Sequence, residues 1–249
     1  MNRVSPTKFD MRNQDTVSNN RGVCLTELMV SLTTGAIVLA AALSIFQIVQ
    51  THATKQHHTL SHQQDLRLGL EVFEQEVRLA TADSIITTAS HEFVFHANLS
   101  VHRTITTGAI LPGQSVLAVQ DGSGWGEGKT VVLCGQQACE VHRLSRVGQR
   151  YQLTLSEPVG LSFPAGASVE VQNRVVYYAK AADGGTEKLM RMIDGGASVL
   201  IGELKSLHFS YWDEQGHVTQ QPSQVRRVVL EINSERPHHR MVREVGLRS

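Results

Sequence analysis

The chain has 249 residues, of which 41% are hydrophobic and 18% are charged. Its 23 basic and 23 acidic side chains balance, so the composition lacks the excess of positive charge that is typical of nucleic-acid-binding domains. DNA is therefore not an expected partner of the chain as a whole.

An apolar segment without charged residues, 28–49, follows a polar N-terminal segment. A helix over these residues reaches ~33 Å, and the hydrocarbon core of a bilayer is ~30 Å thick. The basic residues ahead of it are Arg3, Lys8, Arg12 and Arg21, and the acidic ones are Asp10 and Asp15. Because basic residues favour the cytoplasmic side, we expect a single membrane-spanning segment with everything after Gln50 outside.

The small residue at the boundary, Gly22, comes before the apolar segment. A secretory signal has the opposite order, with its cleavage site after the apolar residues. Lipidation of Cys24 is also not expected, because the charged Arg21 stands where an apolar stretch would be needed. Cleavage after Gly22 would remove residues 1–22 and leave the apolar helix attached to the rest of the chain.

Residues 21–32, with the sequence RGVCLTELMVSL, resemble the type IV prepilin signal. The resemblance implies that a prepilin peptidase cleaves between Gly22 and Val23 and that Val23 is then N-methylated. It departs from the family at Val23, where Phe is usual. It also implies that Glu27 meets the free amino group of a neighbouring subunit during assembly; the alternative is that Glu27 simply reaches the membrane interface.

The helical pattern continues beyond the apolar segment. Apolar residues recur at spacings of four and three, which predicts one face of an amphipathic helix: Leu66, Leu70, Phe73, Val77 and Ala80. We expect the opposite face to be solvated: Asp65, Arg67, Glu71, Glu74, Glu76 and Arg78. Glu74 and Arg78 are spaced for an i,i+4 ion pair. No proline interrupts residues 23–82, so we predict one helix over that range.

From Ser84 onward, short β-branched and aromatic runs alternate with turn residues, which predicts a β-rich domain over 83–249. The predicted strands are 92–97, 116–119, 130–133, 139–143, 151–155, 168–172, 175–180, 188–192, 204–212, 226–232 and 241–245. The fold class is therefore α+β, with a long N-terminal helix packed on one β-rich domain, which is the type IV pilin architecture.

The segment 174–233 more loosely resembles minor pilins and pseudopilins of the PilW/GspJ type. This resemblance implies a structural subunit of a type IV pilus and not an enzyme, with the domain in the periplasm and a single pass through the inner membrane. Its implied partners are the prepilin peptidase and other major and minor pilins. The alternatives are a pseudopilin of a type II secretion or DNA-uptake system, and a binding or enzymatic domain that the helix merely tethers.

Cys134 and Cys139 flank four residues in a predicted hairpin outside the cytoplasm, where disulfides persist, so we predict a bridge between them. The alternative is two free thiols.

No metal or cofactor is expected. His57, His58 and His62 are predicted to be solvated helix residues without a metalloprotease spacing. The loop 121–125 could offer oxygen atoms to calcium, although an Asp-Gly turn is the simpler interpretation.

A basic cluster lies near the C-terminus and comprises Arg226, Arg227, Arg236, His238, His239, Arg240 and Arg243. We interpret it as the exposed face of terminal strands. A weak contact with DNA is the alternative, and its salt dependence would decide between the two.

Overall fold

The structure is a computed structural model that describes residues 24–234 and 240–248. It contains one long helix, α1, over Leu25–Val77, followed by strands. The described residues group into two compact units that divide within α1, after Gln56. An α+β chain with a long N-terminal helix and a β-rich domain is thus confirmed, and the pilin architecture itself remains a prediction.

Helix α1 ends at Val77, so the prediction that it continues to Ala82 is wrong. The last turn tightens, since the amide groups of Leu79 and Ala80 bond carbonyls three residues back. The Ala80 carbonyl then accepts a 3.0 Å hydrogen bond from the amide of Arg248, next to a parallel bridge between Thr81 and Arg248. The backbone thus leaves the helix where the segment after β13 provides its next partner.

Thirteen strands follow α1 in the described residues. They are β1 (Ile85–Ala89), β2 (Glu92–Ala97), β3 (Arg103–Ile105), β4 (Val116–Ala118), β5 (Thr130–Cys134), β6 (Cys139–Arg143), β7 (Gln152–Thr154), β8 (Ser168–Val171), β9 (Asn173–Ala181), β10 (Glu187–Ile193), β11 (Gly196–Trp212), β12 (Arg227–Ser234) and β13 (Arg240–Gly246). Three single-turn 3₁₀ helices lie at Ala82–Ser84, Asp183–Gly185 and Pro222–Gln224.

Seven of the strands form an antiparallel sheet in the order β1-β2-β9-β10-β11-β12-β13. One face of this sheet packs against the C-terminal half of α1. All five residues of the predicted apolar helix face are buried in the shared core, which also contains Phe93, Phe95, Tyr177, Phe209 and Leu230. The predicted amphipathic face is therefore confirmed, and it covers the sheet.

The other six strands lie between β2 and β9 in sequence and form a second core. They pair as a four-stranded sheet, β3-β8-β5-β6, and a two-stranded sheet, β4-β7. Two isolated bridges join these sheets: Leu144 with Leu155 connects β6 to β7, and Thr106 with Val119 connects β3 to β4. The six strands thus close into a small antiparallel barrel around its own apolar cluster, which includes Leu117, Val131, Leu133, Leu153 and Trp125.

The barrel is an insertion whose two ends meet. Ala97 at the end of β2 is paired with Asn173 at the start of β9, so the chain enters and leaves the barrel at one point of the large sheet. All eleven predicted strands correspond to observed ones. Strands β1 and β3 and the first half of β11 were not predicted, and the single domain expected over 83–249 contains two cores within one compact unit.

Candidate functional site

The N-terminal half of α1 presents apolar side chains in all directions. Every large hydrophobic residue from Leu25 to Val49 exposes at least 54% of its surface. A helix that is apolar all round is stable in water only if something covers it. By length and composition, this helix could cross a membrane.

The hydroxyl groups in this segment are satisfied within the helix. Ser31 donates to the Leu28 carbonyl at 3.0 Å, Thr34 donates to the Val30 carbonyl at 2.8 Å, and Ser44 donates to the Ala40 carbonyl at 2.9 Å. Such bonds remove the need for an external partner in an apolar environment. The Ser and Thr residues here are therefore compatible with lipid and do not mark a polar site.

Glu27 is different. It lies in the first turn of α1, is exposed, and its backbone amide donates to the Cys24 carbonyl at 2.9 Å. In the part of the chain that the structure describes, no hydrogen bond or ion pair reaches its carboxylate. The predicted processing residues Gly22 and Val23 lie outside the described residues.

The C-terminal half of α1 is fixed to the sheet by a buried carboxylate that the sequence reasoning placed wrongly. We predicted a solvated Glu76, whereas only 8% of the residue is exposed. Its carboxylate accepts hydrogen bonds from the Tyr177 hydroxyl at 2.5 Å and from Arg191 Nε at 2.9 Å, and a second Arg191 nitrogen completes a two-pronged ion pair. Tyr177 lies on β9 and Arg191 on β10, so Glu76 connects the helix to two strands.

Burial and the bonds to Glu76 shift the titration of both partners. Burial, with the neighbouring Glu76 charge, raises the pKa of Tyr177 well above its usual value. The hydrogen bonds that Arg191 donates to the Glu76 carboxylate raise the pKa of Arg191. The phenol therefore stays protonated as a donor, and the guanidinium stays charged. The sequence signal that could have found this site is the position of Glu76 directly before Val77. Glu76 therefore lies next to the apolar face that packs on the sheet.

The predicted ion pair between Glu74 and Arg78 is present, with nitrogen and oxygen 2.6 Å apart. Glu74 also lies 3.2 Å from Arg243 of β13. Two further residues of the C-terminal basic cluster are paired with carboxylates: Arg227 with Glu244 at 2.7 Å, and Arg240 with Glu231 at 2.7 Å. Arg240 and Arg243 lie on the edge strand β13 and Arg227 on its neighbour β12, and their charge is largely neutralised. Residues 235–239 of the cluster lie outside the described residues.

The predicted disulfide between Cys134 and Cys139 is present and joins β5 to β6. Next to it, the Glu140 carboxylate accepts bonds from His142 at 2.9 Å and from the Gly160 amide at 3.0 Å. Burial raises the pKa of Glu140, but these bonds and one from the Leu161 amide outweigh burial, and the net pKa is lowered. The hairpin is thus tied to the loop after β7 by an ionised side chain.

The remaining candidate ligand residues have ordinary partners. In the loop 121–125, Asp121 Oδ1 accepts a 2.9 Å bond from the Ser123 amide, which is an Asx turn. His62 is half-buried, contrary to its predicted solvation, with Nε2 2.9 Å from Ser234 Oγ and Nδ1 4.0 Å from Glu203. His57 is exposed. Among the described residues, no group of three His, Cys, Asp or Glu side chains could hold a metal ion.

An open groove of about 620 Å³ lies between the outer face of the barrel and the segment that follows α1. Its walls include Leu79, His96, Asn98, Arg103 and Glu170. The Asn98 Oδ1 atom is buried without a hydrogen-bond partner in the described part of the chain. Val101 at the rim has φ +56° and is 80% exposed, which is strained for a β-branched residue. The groove has the volume of a small-ligand site, but it is open to solvent and its lining is more polar than is usual for one.

No family model, curated protein or solved structure matches this chain. The case for its function therefore depends on the residues and geometry described above.

Proposed function

We propose that the chain is a minor pilin or pseudopilin subunit of a type IV pilus. In this proposal α1 inserts in the inner membrane, the β-rich domain lies in the periplasm, and prepilin peptidase cleaves between Gly22 and Val23 with N-methylation of Val23. The subunit then joins other pilins through its N-terminal helix. The observation that carries the proposal is Glu27, an exposed carboxylate at the start of a helix segment whose other side chains suit lipid.

A carboxylate in an apolar membrane helix is costly. At the bilayer centre the cost is about 2.5–3.5 kcal/mol, and such residues normally have a partner. A tether needs no carboxylate there. Cleavage after Gly22 would create a free amino group four residues before Glu27, at a similar depth in the membrane. The amino group of a neighbouring subunit would neutralise Glu27 and so align the two helices.

The burial pattern along α1 supports a subunit of this kind. From Leu25 to Val49 the helix is exposed, and from Leu66 onward its apolar face is buried against the sheet and fixed by Glu76. A helix that serves only as a membrane anchor does not need rigid attachment to the domain. A helix that transmits position between packed subunits does.

The test is incorporation of a Glu27→Leu variant into sheared filaments, with membrane insertion and processing measured separately. We expect normal insertion and processing but strongly reduced incorporation. Glu71→Leu is the matched control, since Glu71 is an exposed carboxylate on the same helix and the chemical change is identical. Normal incorporation of Glu27→Leu would mean that the carboxylate is only an interfacial residue, and the assembly role would be withdrawn.

The machine that the subunit serves can be read from the phenotype of a deletion strain. Loss of surface filaments indicates a pilus, whereas loss of protein secretion or of DNA uptake indicates the corresponding pseudopilus.

The groove of about 620 Å³ favours a second candidate, a ligand-binding domain that α1 merely tethers. That candidate predicts that Glu27→Leu has no effect on any function of the chain.

A further inference from the structure

The hairpin of β6 and β7 carries three exposed arginines without carboxylate partners. Arg143, Arg146 and Arg150 lie within eight residues of one another, and within the described ranges none of them forms an ion pair. This differs from β12 and β13 of the seven-stranded sheet, where Arg227, Arg240 and Arg243 are each paired with a carboxylate. In the sequence, only the C-terminal group stands out as basic, because its basic residues are denser.

Two of the hairpin arginines are each oriented by a hydrogen bond from their own Nε atom. Arg143 Nε donates to the Gly128 carbonyl, and Arg146 Nε donates to Thr154 Oγ1, both at 2.8 Å. These bonds fix the guanidinium planes and leave the paired terminal nitrogens without a partner among the described residues. Those nitrogens form the fork that binds phosphate oxygens in pairs.

The tip of the hairpin adds an aromatic surface. The Arg150 guanidinium lies 5.1 Å from the centre of the Tyr151 ring, and Tyr151 is 62% exposed. With the arginine over one face, the other face of the exposed ring can stack a nucleobase. An anionic polysaccharide would satisfy the arginines but offers no flat π face to this ring.

The platform is held rigidly by backbone bonds. The Gly122 amide donates to the Arg150 carbonyl at 2.9 Å, and the Gly148 amide donates to the Trp125 carbonyl at 2.8 Å. The approach is so close that a Cβ on Gly148 would lie 2.2 Å from the Gly122 carbonyl oxygen. A fixed hairpin loses little conformational freedom on binding, which favours affinity.

We propose that this hairpin binds single-stranded nucleic acid, with the arginines on phosphates and Tyr151 stacked on a base. The binding is weak, because the barrel segment 98–172 carries five basic and five acidic residues. It is salt-sensitive, because it depends on contacts with phosphates. Asp121 is close to Arg150: hydrogen bonds from Ser123 lower the pKa of Asp121, and the Arg150 charge contributes to this shift without an ion pair. The proposal is independent of filament assembly.

The experiment measures fluorescence anisotropy of a labelled deoxythymidine 12-mer with the full chain in neutral detergent micelles. Three phosphate contacts predict a slope of log K against log salt of about −2, so affinity falls about fifteen-fold between 50 and 200 mM salt. The triple variant R143Q/R146Q/R150Q should abolish binding. R227Q/R240Q/R243Q is the matched control, with the same change in charge, and should retain it.

A second pair of variants tests the stacking. Tyr151→Ala should weaken binding about fivefold or more, while Tyr151→Phe, which keeps the ring, should bind normally. In a Trp212→Phe background, unchanged Trp125 emission shows that each variant keeps the barrel folded. The proposal is overturned if no binding is detected at 50 mM salt, or if the triple variant binds normally. It is also overturned if heparin fragments or vesicles of anionic lipid bind as tightly and depend on the same arginines, since the site would then be a general polyanion site.

Discussion

The large sheet and the barrel bury their apolar side chains in different ways. The seven-stranded sheet is open, with β1 and β13 at its edges, and one of its faces is covered by the C-terminal half of α1. The barrel closes on itself through two bridges and fills its interior with side chains from its own strands and loops. The sheet therefore depends on a helix from outside it, and the barrel does not.

This difference assigns the two proposed functions to different parts of one compact unit. The sheet and helix form the part that fits the proposed assembly role, since the same helix continues into the exposed apolar segment. The barrel is attached at the Ala97–Asn173 pair and carries the arginine hairpin, with the groove along its outer face. Each region contains one of the two tryptophans of the chain, Trp212 on β11 and Trp125 in the barrel core. Their fluorescence can be used to follow the two regions separately in single-tryptophan variants.

The largest effect is expected from Phe73→Ala. Phe73 is fully buried, and its ring lies 5.0 Å from that of Tyr177 and 6.1 Å from that of Phe209. Removing it should lower the free energy of unfolding of the sheet by about 3–5 kcal/mol, from the lost transfer energy and the cavity. In denaturant titrations, the transition at Trp212 should move to lower denaturant. A transition at Trp212 that does not move would mean that the helix face does not cover the sheet.

Leu133→Ala is the corresponding change in the barrel. Leu133 on β5 is fully buried, and its loss should cost about 3 kcal/mol. Because the barrel has its own core, we expect the Trp125 transition to move while the Trp212 transition stays in place. Equal movement of both transitions would show that the two cores unfold as one cooperative unit and would contradict the separation drawn here.

The sequence was sufficient for the helix face and for most strands, but not for this separation. Short β-branched and aromatic runs such as those in β2 and β12 predict strands whichever sheet they join. Closure of the barrel depends on two isolated bridges, Thr106–Val119 and Leu144–Leu155. Each is a single residue pair outside the regular strands, which is too short to leave an alternating pattern in the sequence. Strand β3, with only three residues, is too short for an alternating pattern to be recognised.

The candidate site shows the same limit. Glu27 was found from its unusual place in an apolar run, which is a local signal. Glu76 was assigned to solvent because helix periodicity gives the direction of a side chain but not the partners on strands 101 and 115 residues away. Likewise, the sequence does not show that Arg143, Arg146 and Arg150 lack ion-pair partners among the described residues, because this depends on the distances to carboxylates in the folded chain.

Glu76→Leu should have a smaller effect than either core change. It leaves the Tyr177 hydroxyl and Arg191 without their carboxylate, and loss of such a partner is costly when the groups are buried. Arg191 still exposes 26% of its side chain and can be hydrated, so we expect a loss of about 2 kcal/mol in the Trp212 transition. Glu71→Leu on the same helix should change stability little, and an equal loss there would remove the special role of Glu76.

The smallest effect concerns pH at the junction of the two regions. Burial, with the nearby Arg174 charge, lowers the pKa of His96 below its usual value of 6.5. A base with a lowered pKa in the folded state stabilises the fold above the unfolded pKa, and this contribution is lost as pH falls below it. The free energy of unfolding should therefore fall between pH 7 and pH 5, and less so in His96→Asn. The same pH dependence in both proteins would assign it to other groups.

The central claim, that the chain is a processed filament subunit, is tested most directly by the mass of its N-terminal peptide after purification from membranes. We predict a chain that begins at Val23 and carries one methyl group on its amino nitrogen, and an uncut chain in Gly22→Val. A wild-type chain that still begins at Met1, or that has been cut after the apolar segment near Thr51, would contradict it.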